Sequence, residues 1–532
     1  MGIFVSVEKT IECVVLAVVL TLLLAGCSYR LLGILQSGGY SGKKLIKWTK
    51  KKSNLVFTRH TLLTLLCVLS VAVISLCFSF LGKWSALVGL AGYAIFLPVY
   101  IWADNKIALR IPVTATPRFK RLYVILIFFT AVFVYLAVTL LNFAAEVWGN
   151  ALFSCLRYVP LSLFCLLLIP LVLFANLVSK IYEVPHNKKF VKRAKQKLSA
   201  SHIKVIGITG SYGKTSTKQI LYSILSKKFN VLATPRSHNT PLGIALSINN
   251  NELEKFDVFI AEMGARNVGD IAELCDICPP DYSVITGICP QHLESFGSQE
   301  NIVKAKGEIL LSTKEKAVLA SDCFALFDAY PCKKIKCSCV SGIACGKEGS
   351  TFNLTLGDTS VPAKTKLLGR HAVDNIALAA EVAFELGMTA TEIAEAVESL
   401  EFIEHRLQLI EANGVNILDD GYNSNVKGAA AAIEVLKYFE GSKIVITPGL
   451  VELGILEESE NRALGEKLAG LDKIILVGDT LVQPVKEGYL AAGGDAEKIE
   501  VVLTLDKAQE KLKTLIKPGD TVLFLNDLPD IY

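Results

Sequence analysis

The N-terminal third of the chain consists of long apolar stretches separated by short, mostly basic segments. Each stretch is close to the roughly 20 residues that cross a bilayer core as an α-helix. The stretches lie at residues 11–29, 61–81, 84–102, 122–141 and 158–178. The pattern therefore predicts an N-terminal bundle of about five transmembrane helices within residues 1–180.

Lys and Arg are concentrated in every second connecting segment. Segments 36–60, 103–121 and 179–202 carry 19 of them, whereas the alternate segments carry only Lys9, Lys83 and Arg157. Basic loops are retained in the cytoplasm. Five spans then predict a multi-pass protein of a bacterial cell membrane with its N-terminus outside. A basic cytoplasmic linker at 181–202 would lead into cytoplasmic catalytic domains. The spans contain almost no charge, which favours an anchor over an ion pump.

Two short N-terminal motifs suggest lipid attachment instead. Leu24-Ala25-Gly26-Cys27 has the form of a bacterial lipoprotein cleavage site, but cleavage there would place seven basic residues on the wrong side. Met1-Gly2 with Ser6 fits a myristoylation pattern, although one acyl chain adds little anchoring to five spans. The charge arrangement favours an uncleaved first span.

After residue 203 the pattern changes to short apolar runs that alternate with segments of helical periodicity. The run 205–209 predicts a buried strand, and 218–225 predicts a helix. Between them lies Gly210-Ser211-Tyr212-Gly213-Lys214-Thr215-Ser216. Backbone N–H groups of such a loop surround phosphate, its lysine reaches the outer phosphates, and its Thr hydroxyl can hold Mg²⁺. The predicted nucleotide-binding residues here are Gly210, Ser211, Gly213, Lys214, Thr215 and Ser216.

A second apolar run, 257–262, ends in Glu262, and a third begins at Tyr282. A carboxylate at the carboxyl end of a buried strand beside a phosphate loop is placed to hold a metal ion. Glu262 is therefore a predicted Mg²⁺ ligand, together with Thr215.

The form Gly207-Ile-Thr209-Gly210-Ser211-x-Gly213-Lys214-Thr215 departs from the strict Walker spacing, because Ile208 stands where that spacing requires glycine. It resembles the Mur ligase family, the ATP-dependent enzymes that extend the peptide of peptidoglycan precursors. The resemblance covers residues 203–532. It implies two α/β domains after the membrane region: a P-loop central domain at 203–400 and a Rossmann-like C-terminal domain at 401–532.

The resemblance also assigns roles to residues 292–308. In the family, His292 would be the ligand of a second metal ion and Lys306 the lysine that becomes carbamylated beside it. Lys304 is the competing position for the modified lysine, and the spacing favours Lys306. Taken alone, His292 would more often be a hydrogen-bonded structural histidine.

A further motif, Gly369-Arg370-His371-x3-Asn375, opens a predicted helix. It resembles the family segment that meets adenine, with Asn375 hydrogen-bonded to the base. The family usually has Asn where Ala372 stands, so part of this contact is in question. The alternative is a helix N-terminus that packs on the core.

The C-terminal region repeats the alternation, with predicted strands near 415–418, 444–447, 474–477 and 522–525. Glu404-His405-Arg406, Asp419-Asp420-Gly421-Tyr422-Asn423-Ser424-Asn425 and Gly449-Leu-Val-Glu452-Leu-Gly454 resemble the branch of the family that adds D-alanyl-D-alanine to a muramoyl tripeptide. By that resemblance, Arg406 contacts phosphate and Asp420 the ribose side of ATP. The alternative for both side chains is a solvated position at a strand end.

Composition and charge narrow the function classes. Of the 532 residues 52% are hydrophobic, and the net charge is +5. Residues 1–202 hold 23 basic and 5 acidic side chains, whereas residues 203–532 hold 32 and 45. The acidic second part argues against a nucleic-acid partner. The 14 cysteines include Cys275 with Cys278 and a group at 332–345. Their spacing favours buried thiols over a zinc site.

Together these features predict an ATP- and Mg²⁺-dependent ligase with Lys214, His292 and Lys306 as catalytic residues. It would join a small amine or dipeptide to a muramoyl peptide through an acyl phosphate. Two features depart from the soluble relatives: the predicted spans stand where those relatives carry a UDP-sugar domain, and the C-terminal sequence lacks the usual Lys-Gly-Ser. Both features bear on the substrates, so the muramoyl acceptor is predicted to be either UDP-linked or lipid-linked. The alternatives are a membrane transporter or nucleotide switch powered by the P-loop, or an amidating ligase with another amine.

Overall fold

The computed structural model describes residues 7–50, 56–105, 112–235, 238–422, 425–478 and 481–527. Several residues of the motifs, basic segments and C-terminal sequence discussed above lie outside the described residues: Met1, Gly2, Ser6, Lys51, Lys52, Lys106, Arg110, Asn423, Ser424 and 528–532. The described chain divides into two compact units, one up to His186 and one from Asn187 to Asp527.

The first unit is helical. Its helices are α1 Val7–Ser37, α2 Gly42–Thr49, α3 Val56–Cys77, α4 Ser85–Gly89, α5 Ala91–Asn105, α6 Pro117–Trp148, α7 Ala151–Leu156 and, as far as His186, α8 Leu168–Ser199, with 3-10 turns at Ser79–Trp84 and Val159–Cys165. A buried apolar cluster joins them, while other apolar side chains of α1 and α6 face outward. Helices that are apolar on all sides are typical of a bilayer environment.

Among the described residues, three helical segments are long and apolar enough to cross a membrane: Cys13–Ser37, Pro117–Trp148 and Leu168–Ser199. Shorter apolar helices occupy Thr61–Cys77, Ser85–Val99 and Ala151–Cys165. The predicted stretches 61–81 and 84–102 fall on these shorter helices, so the count of five spans stays a prediction. The predicted linker 181–202 is helical as far as Ser199, as the continuation of α8.

The second unit begins with a parallel six-stranded sheet in the order β2-β3-β1-β4-β5-β6. Its strands are β1 Lys204–Thr209, β2 Val231–Ala233, β3 Val258–Glu262, β4 Tyr282–Ile285, β5 Lys316–Ala320 and β6 Lys333–Cys337. The connecting helices are α9 Lys214–Leu225, α10 Pro241–Asn249, α11 Asp270–Ile277, α12 Leu293–Phe296 and α13 Gln299–Ser312. The predicted strands of this region are present, and their carboxyl ends share one edge of the sheet, where ligands bind in open α/β folds.

An antiparallel three-stranded sheet, which the sequence did not predict, follows the parallel one. Its strands are β7 Val340–Gly346, β8 Gly349–Leu356 and β9 Thr359–Thr365, and they precede α14 Arg370–Glu385 and α15 Ala390–Glu398. Helix α14 packs against α9, and both helices contribute to one buried apolar cluster. This packing brings the motif at 369–375 next to the phosphate loop.

The C-terminal part forms a second six-stranded sheet in the order β10-β11-β15-β12-β13-β14. Its elements are β10 Gln408–Ala412, β11 Val415–Tyr422, α16 Val426–Leu436, β12 Lys443–Thr447, α17 Glu457–Leu468, β13 Lys473–Val477, α18 Val482–Ala491, β14 Ile499–Val502, α19 Leu505–Leu515 and β15 Thr521–Asp527. Only the β10–β11 pair is antiparallel. The four strands predicted here are all present, which agrees with a second α/β domain.

Candidate nucleotide and metal site

The phosphate loop connects β1 to α9 at the carboxyl edge of the parallel sheet. Gly210 and Gly213 have φ angles of 149° and 76°. A Cβ atom at Gly210 would lie 2.1 Å from Thr286 Oγ1, and one at Gly213 would lie 2.6 Å from Asn375 Oδ1. Both positions therefore require glycine for backbone conformation and for space. Lys214 begins α9, and its Nζ donates to the Gly210 carbonyl oxygen at 2.7 Å.

Glu262, the predicted metal ligand, ends β3 and is almost completely buried. Thr215 Oγ1 donates to its Oε2 at 3.0 Å, and Asn239 Nδ2 donates to its Oε1 at 3.1 Å. Lys218 Nζ lies 3.0 Å from Oε2. The two predicted metal ligands, Thr215 and Glu262, are therefore neighbours.

The charges of two neighbouring lysines control the protonation of the Glu262 carboxyl group. Burial by itself would raise the pKa of Glu262, but the positive charges of Lys218 and Lys214 hold it below its usual value. Burial lowers the pKa of Lys214, and the charge of Glu262 opposes that change. The carboxylate thus remains ionised, the state in which it can bind a cation.

His292 lies at the start of α12, and its ring is mostly buried. Its Nδ1 is hydrogen-bonded to Glu452 Oε2, and Arg266 Nη1 donates to Glu452 Oε1 at 2.8 Å. Burial lowers the pKa of His292, against the effect of Glu452. The ring is therefore neutral near pH 7, as a metal-ligating imidazole must be.

Lys306 lies on the buried face of α13, whereas Lys304 on the same helix is exposed. Burial, helped by the nearby charge of Lys214, brings the pKa of Lys306 well below its usual value. Its Nζ lies 5.8 Å from the centre of the Phe296 ring. The structure thus places Lys306, not Lys304, where a modified lysine is predicted, while the modification itself stays a prediction.

One cavity of about 480 Å³ brings most of these side chains together. Its lining includes Ser211, Gly213, Lys214, Thr215, Ser216, Glu262, His292, Lys306 and Arg406. Within the described part of the chain, no group of three or more His, Cys, Asp or Glu side chains forms a ready-made metal site. A hydroxyl and a carboxylate nevertheless suit Mg²⁺, which prefers oxygen ligands and takes the remainder from water and phosphate.

A second cavity, of about 760 Å³, adjoins the first and shares with it Tyr212, Gly213, Ser216, Arg406 and Asn425. It is also lined by His371 and Asn375. The buried Nδ1 of His371 has no hydrogen-bond partner among the residues that the structure describes. Burial lowers the pKa of His371 to about 4, so the ring is neutral. An unpaired polar atom in a cavity of this size fits a nucleotide base.

Three predicted contacts of ATP line this second cavity but already have protein partners. Asn375 Oδ1 accepts from Thr217 Oγ1 at 3.1 Å, and Arg406 Nη1 donates to the Tyr422 carbonyl oxygen at 2.8 Å. Asp420 accepts from the Leu407 N–H at 3.2 Å. Burial raises the pKa of Asp420 to about 7, although the charge of Arg406 acts in the opposite direction.

Sequence reasoning missed a polar cluster in the lining of the second cavity. Tyr212 of the phosphate loop donates its hydroxyl to Asp322 at 2.8 Å, and Lys427 of α16 pairs with the same carboxylate at 2.6 Å. It also missed Lys218 and Asn239, and it assigned no role to Glu452, which it quoted only as part of a motif. Lys218 could have been found, because it lies one helical turn after Lys214. The other positions are related only by tertiary structure.

The cysteines considered for a metal site lie elsewhere. Cys275 and Cys278 are buried in the core beneath the parallel sheet, and burial raises the pKa of both thiols, that of Cys275 to about 12. Cys337 and Cys339 are buried in the cluster that joins α9 and α14. Buried thiols behave as small apolar side chains.

Comparison with known proteins agrees with this arrangement. Residues 208–383 match the Mur ligase middle domain, and residues 405–526 match the Mur ligase glutamate ligase domain. A crystal structure of MurF ligase from Thermotoga maritima in complex with ADP is 30% identical with a TM-score of 0.58, and the match covers 64% of this chain and 80% of that one. The chain belongs to the Mur ligase family.

Two curated relatives of this Mur ligase family member carry the name UDP-N-acetylmuramoyl-tripeptide–D-alanyl-D-alanine ligase. The protein from Escherichia coli (strain K12) is 30% identical over 292 residues, which are 52% of this chain and 64% of that protein. The protein from Bacillus subtilis (strain 168) is 28% identical over 352 residues, or 62% of this chain and 74% of that protein. The chain thus covers less than two thirds of the first relative. Membership of a ligase family lends no support to the transporter alternative.

Proposed function

We propose that this protein is an ATP-dependent amide ligase that joins the carboxylate of a muramoyl peptide to the amine of D-alanyl-D-alanine. The observation that carries the proposal is the cavity in which Lys214, Thr215, Glu262 and Lys306 meet beside a nucleotide-sized cavity. The names of the two curated relatives support the choice of amine and acceptor.

The reaction divides into two balanced steps. A carboxylate oxygen of the acceptor attacks the γ-phosphorus of ATP and ADP leaves, which gives an acyl phosphate. The free amine then attacks the acyl carbon, phosphate leaves with that carboxylate oxygen, and the nitrogen loses a proton. Both steps depend on positioning and charge neutralisation more than on a protein nucleophile.

The chain supplies the positive groups that these steps require. Lys214 and the N-terminus of α9 are placed to hold the phosphates, and Arg406 lines both cavities from the C-terminal domain. Thr215 and Glu262 would hold Mg²⁺, which when bound neutralises charge on the phosphates. The buried carboxylate fits this role because the neighbouring lysines keep it ionised.

A second cation would be held by His292 and by Lys306 in its carbamylated form. A lysine with a lowered pKa is an uncharged amine, which adds to carbon dioxide with loss of a proton and gains two oxygens. The burial of Lys306 and its lowered pKa support this modification. Without carbamylation, the side chain of Lys306 has no oxygen atom that could bind a cation.

We further propose that the ligase works at the cytoplasmic face of a bacterial cell membrane. Three helices of sufficient length and apolarity support anchoring, and the basic segments support the orientation. An anchored site would have access to muramoyl peptides on lipid as well as on UDP. We expect the lipid-linked acceptor to be the better substrate.

Mass spectrometry of reaction products tests the proposal. Purified full-length protein in detergent receives ATP, Mg²⁺, a UDP-linked or lipid-linked muramoyl tripeptide, and either D-alanyl-D-alanine or ammonia. We expect the dipeptide adduct with release of ADP, formed about 10²–10³-fold more slowly by Lys214→Ala. If product forms with ammonia but not with D-alanyl-D-alanine, the dipeptide is not the amine substrate. Equal rates with both acceptors would contradict the preference for lipid.

A further inference from the structure

Glu452 lies in the loop between β12 and a 3-10 turn at Gly454–Leu456, and its backbone has a φ of 64°. Its side chain is only 8% exposed. A non-glycine residue in the left-handed region is strained by roughly 1–3 kcal/mol and persists where surrounding contacts hold it, often at functional sites. His292, its hydrogen-bond partner, is also in this region, at 54°.

Both carboxylate oxygens of Glu452 are used across the boundary between the two α/β domains. Oε2 contacts His292 Nδ1, and Oε1 accepts from Arg266 Nη1 at 2.8 Å. Both partners belong to the domain of the parallel sheet, and both line the cavity of the phosphate loop. The backbone after Glu452 is equally close, since a Cβ atom at Gly454 would lie 3.3 Å from the Glu294 nitrogen.

We propose that Glu452 is a positioning residue that fixes the tautomer and the orientation of His292. Because Arg266 Nη1 donates to the same carboxylate, Glu452 is the acceptor toward His292, which then carries its proton on Nδ1 and presents the lone pair of Nε2. A carboxylate behind an imidazole in this way orients it toward a metal ion. The consequence for metal binding rests on the proposed function, whereas the tautomer does not.

The location of Glu452 links this effect to the arrangement of the domains. His292 belongs to one domain and the group that orients it belongs to the other. The tautomer and the orientation of His292 are therefore fixed only while the C-terminal domain lies against the middle domain, as it does in this structure. Arg266 balances the negative charge that Glu452 brings into this buried place.

The test is a nitrogen-15 NMR spectrum of the full-length protein labelled at its 7 histidines. It is recorded without metal or nucleotide, and His292→Asn assigns the signal. We expect Nδ1 of His292 to be protonated and Nε2 to be unprotonated. Glu452→Ala should mix the tautomers, whereas Glu452→Gln should keep them because its carbonyl oxygen still accepts. Glu458→Ala, which removes an exposed glutamate of α17, is the matched control.

The same variants give a second measurement, the affinity for Mn²⁺ in the presence of a non-hydrolysable ATP analogue. Loss of a group behind a metal-binding histidine typically costs 10–100-fold in metal affinity or activity. We expect such a loss at the Mn²⁺ site of His292 in Glu452→Ala, with affinity for the analogue unchanged within about twofold. If Glu452→Ala does not fold, Glu452→Asp serves, because its shorter side chain keeps the charge but cannot reach both partners.

A wild-type His292 signal in folded Glu452→Ala or Glu452→Asp would overturn the inference. So would equal disturbance by Glu452→Gln and Glu452→Ala, since that would indicate only a structural role for the loop. Because the NMR measurement needs neither substrate nor turnover, failure of the ligase assay would refute the proposed function and leave this inference standing.

Discussion

Lys218 and Glu262 form an ion pair at 3.0 Å in which both side chains are almost completely buried. Lys218 lies one turn after Lys214 on α9, and Glu262 ends the neighbouring strand β3. The pair neutralises the predicted metal ligand within the protein itself. A bound cation would therefore compete with Lys218 for the same carboxylate oxygen, a relationship that the phosphate-loop motif does not reveal.

A double-mutant cycle measures this pair. Lys218→Met leaves a buried carboxylate without its main partner, and we expect a loss of about 3–5 kcal/mol in the free energy of unfolding. Glu262→Gln should also destabilise, but the double variant should lose less than the sum, because no unpaired buried charge remains. Urea unfolding of the four proteins provides the comparison.

Lys228 and Glu392 offer a matched control, since they are 3.3 Å apart but well exposed. We expect their coupling to be much smaller than that of the buried pair and weaker at high salt. Additive effects of Lys218→Met and Glu262→Gln would contradict the proposed link between the two residues.

Lys214→Ala tests the phosphate loop directly. Its side chain lines the smaller cavity and is placed to reach the outer phosphates, so its removal should lower kcat by about 10²–10³, the usual cost of one group that stabilises a charged transition state. The measurement is ADP release under saturating ATP. Lys227→Ala, at an exposed position just beyond α9, should retain wild-type turnover. If the Lys214→Ala protein keeps wild-type turnover, the phosphates of ATP do not bind at Lys214.

His371 provides a test of the base side of the nucleotide site. Its unpaired Nδ1 gains a partner if adenine occupies the larger cavity, and one hydrogen bond is worth about 1 kcal/mol. His371→Leu should thus weaken ATP binding about fivefold in calorimetry, while the exposed His202→Leu leaves it unchanged. If wild type and His371→Leu bind ATP with the same affinity, the adenine base does not bind beside His371 in this cavity.

The raised pKa of Asp420 predicts that the free energy of unfolding depends on pH. Its pKa is raised from 3.8 to about 7 in the folded protein, so folding favours its protonated form. Native protein then binds more protons than unfolded protein between about pH 4 and 7, and the contribution of Asp420 to stability falls as pH rises through that window. Above pH 7 the loss is complete.

Asp420→Asn should consequently gain stability relative to wild type as pH rises from about 4 to 7, with a constant difference above that. Melting temperatures of both proteins across this range show the effect, and Asp358→Asn at an exposed turn is the control. A difference that does not vary with pH would show that Asp420 titrates normally.

Much of this fold follows from local sequence. The apolar runs at 205–209 and 257–262 are buried strands because parallel strands are covered on both faces. The strand β8 was missed although buried Phe352, Leu354 and Leu356 alternate with exposed Thr and Asn, a pattern that predicts a half-buried strand. Membrane helices were harder to delimit. The predicted stretch 158–178 includes the 3-10 turn at Val159–Cys165, since hydropathy records apolarity and not backbone continuity.

The site was predictable wherever one motif carries its own geometry. The glycines, Lys214 and Thr215 lie within a few residues of one another, so their spacing determines their arrangement. Glu452 and His292 are 160 residues apart, and only the packing of two domains brings them together. Asn375 was predicted to meet adenine, but Thr217 on the adjacent helix already takes its carbonyl oxygen.

The most direct test of the central claim follows the carboxylate oxygen of the acceptor. A muramoyl tripeptide labelled with oxygen-18 in its reacting carboxylate is incubated with the purified protein, ATP, Mg²⁺ and D-alanyl-D-alanine, and the released phosphate is examined by phosphorus-31 NMR. An acyl-phosphate ligase must transfer one labelled oxygen to each phosphate released. Phosphate without the label would show that ATP is hydrolysed by water and would contradict the proposed ligation.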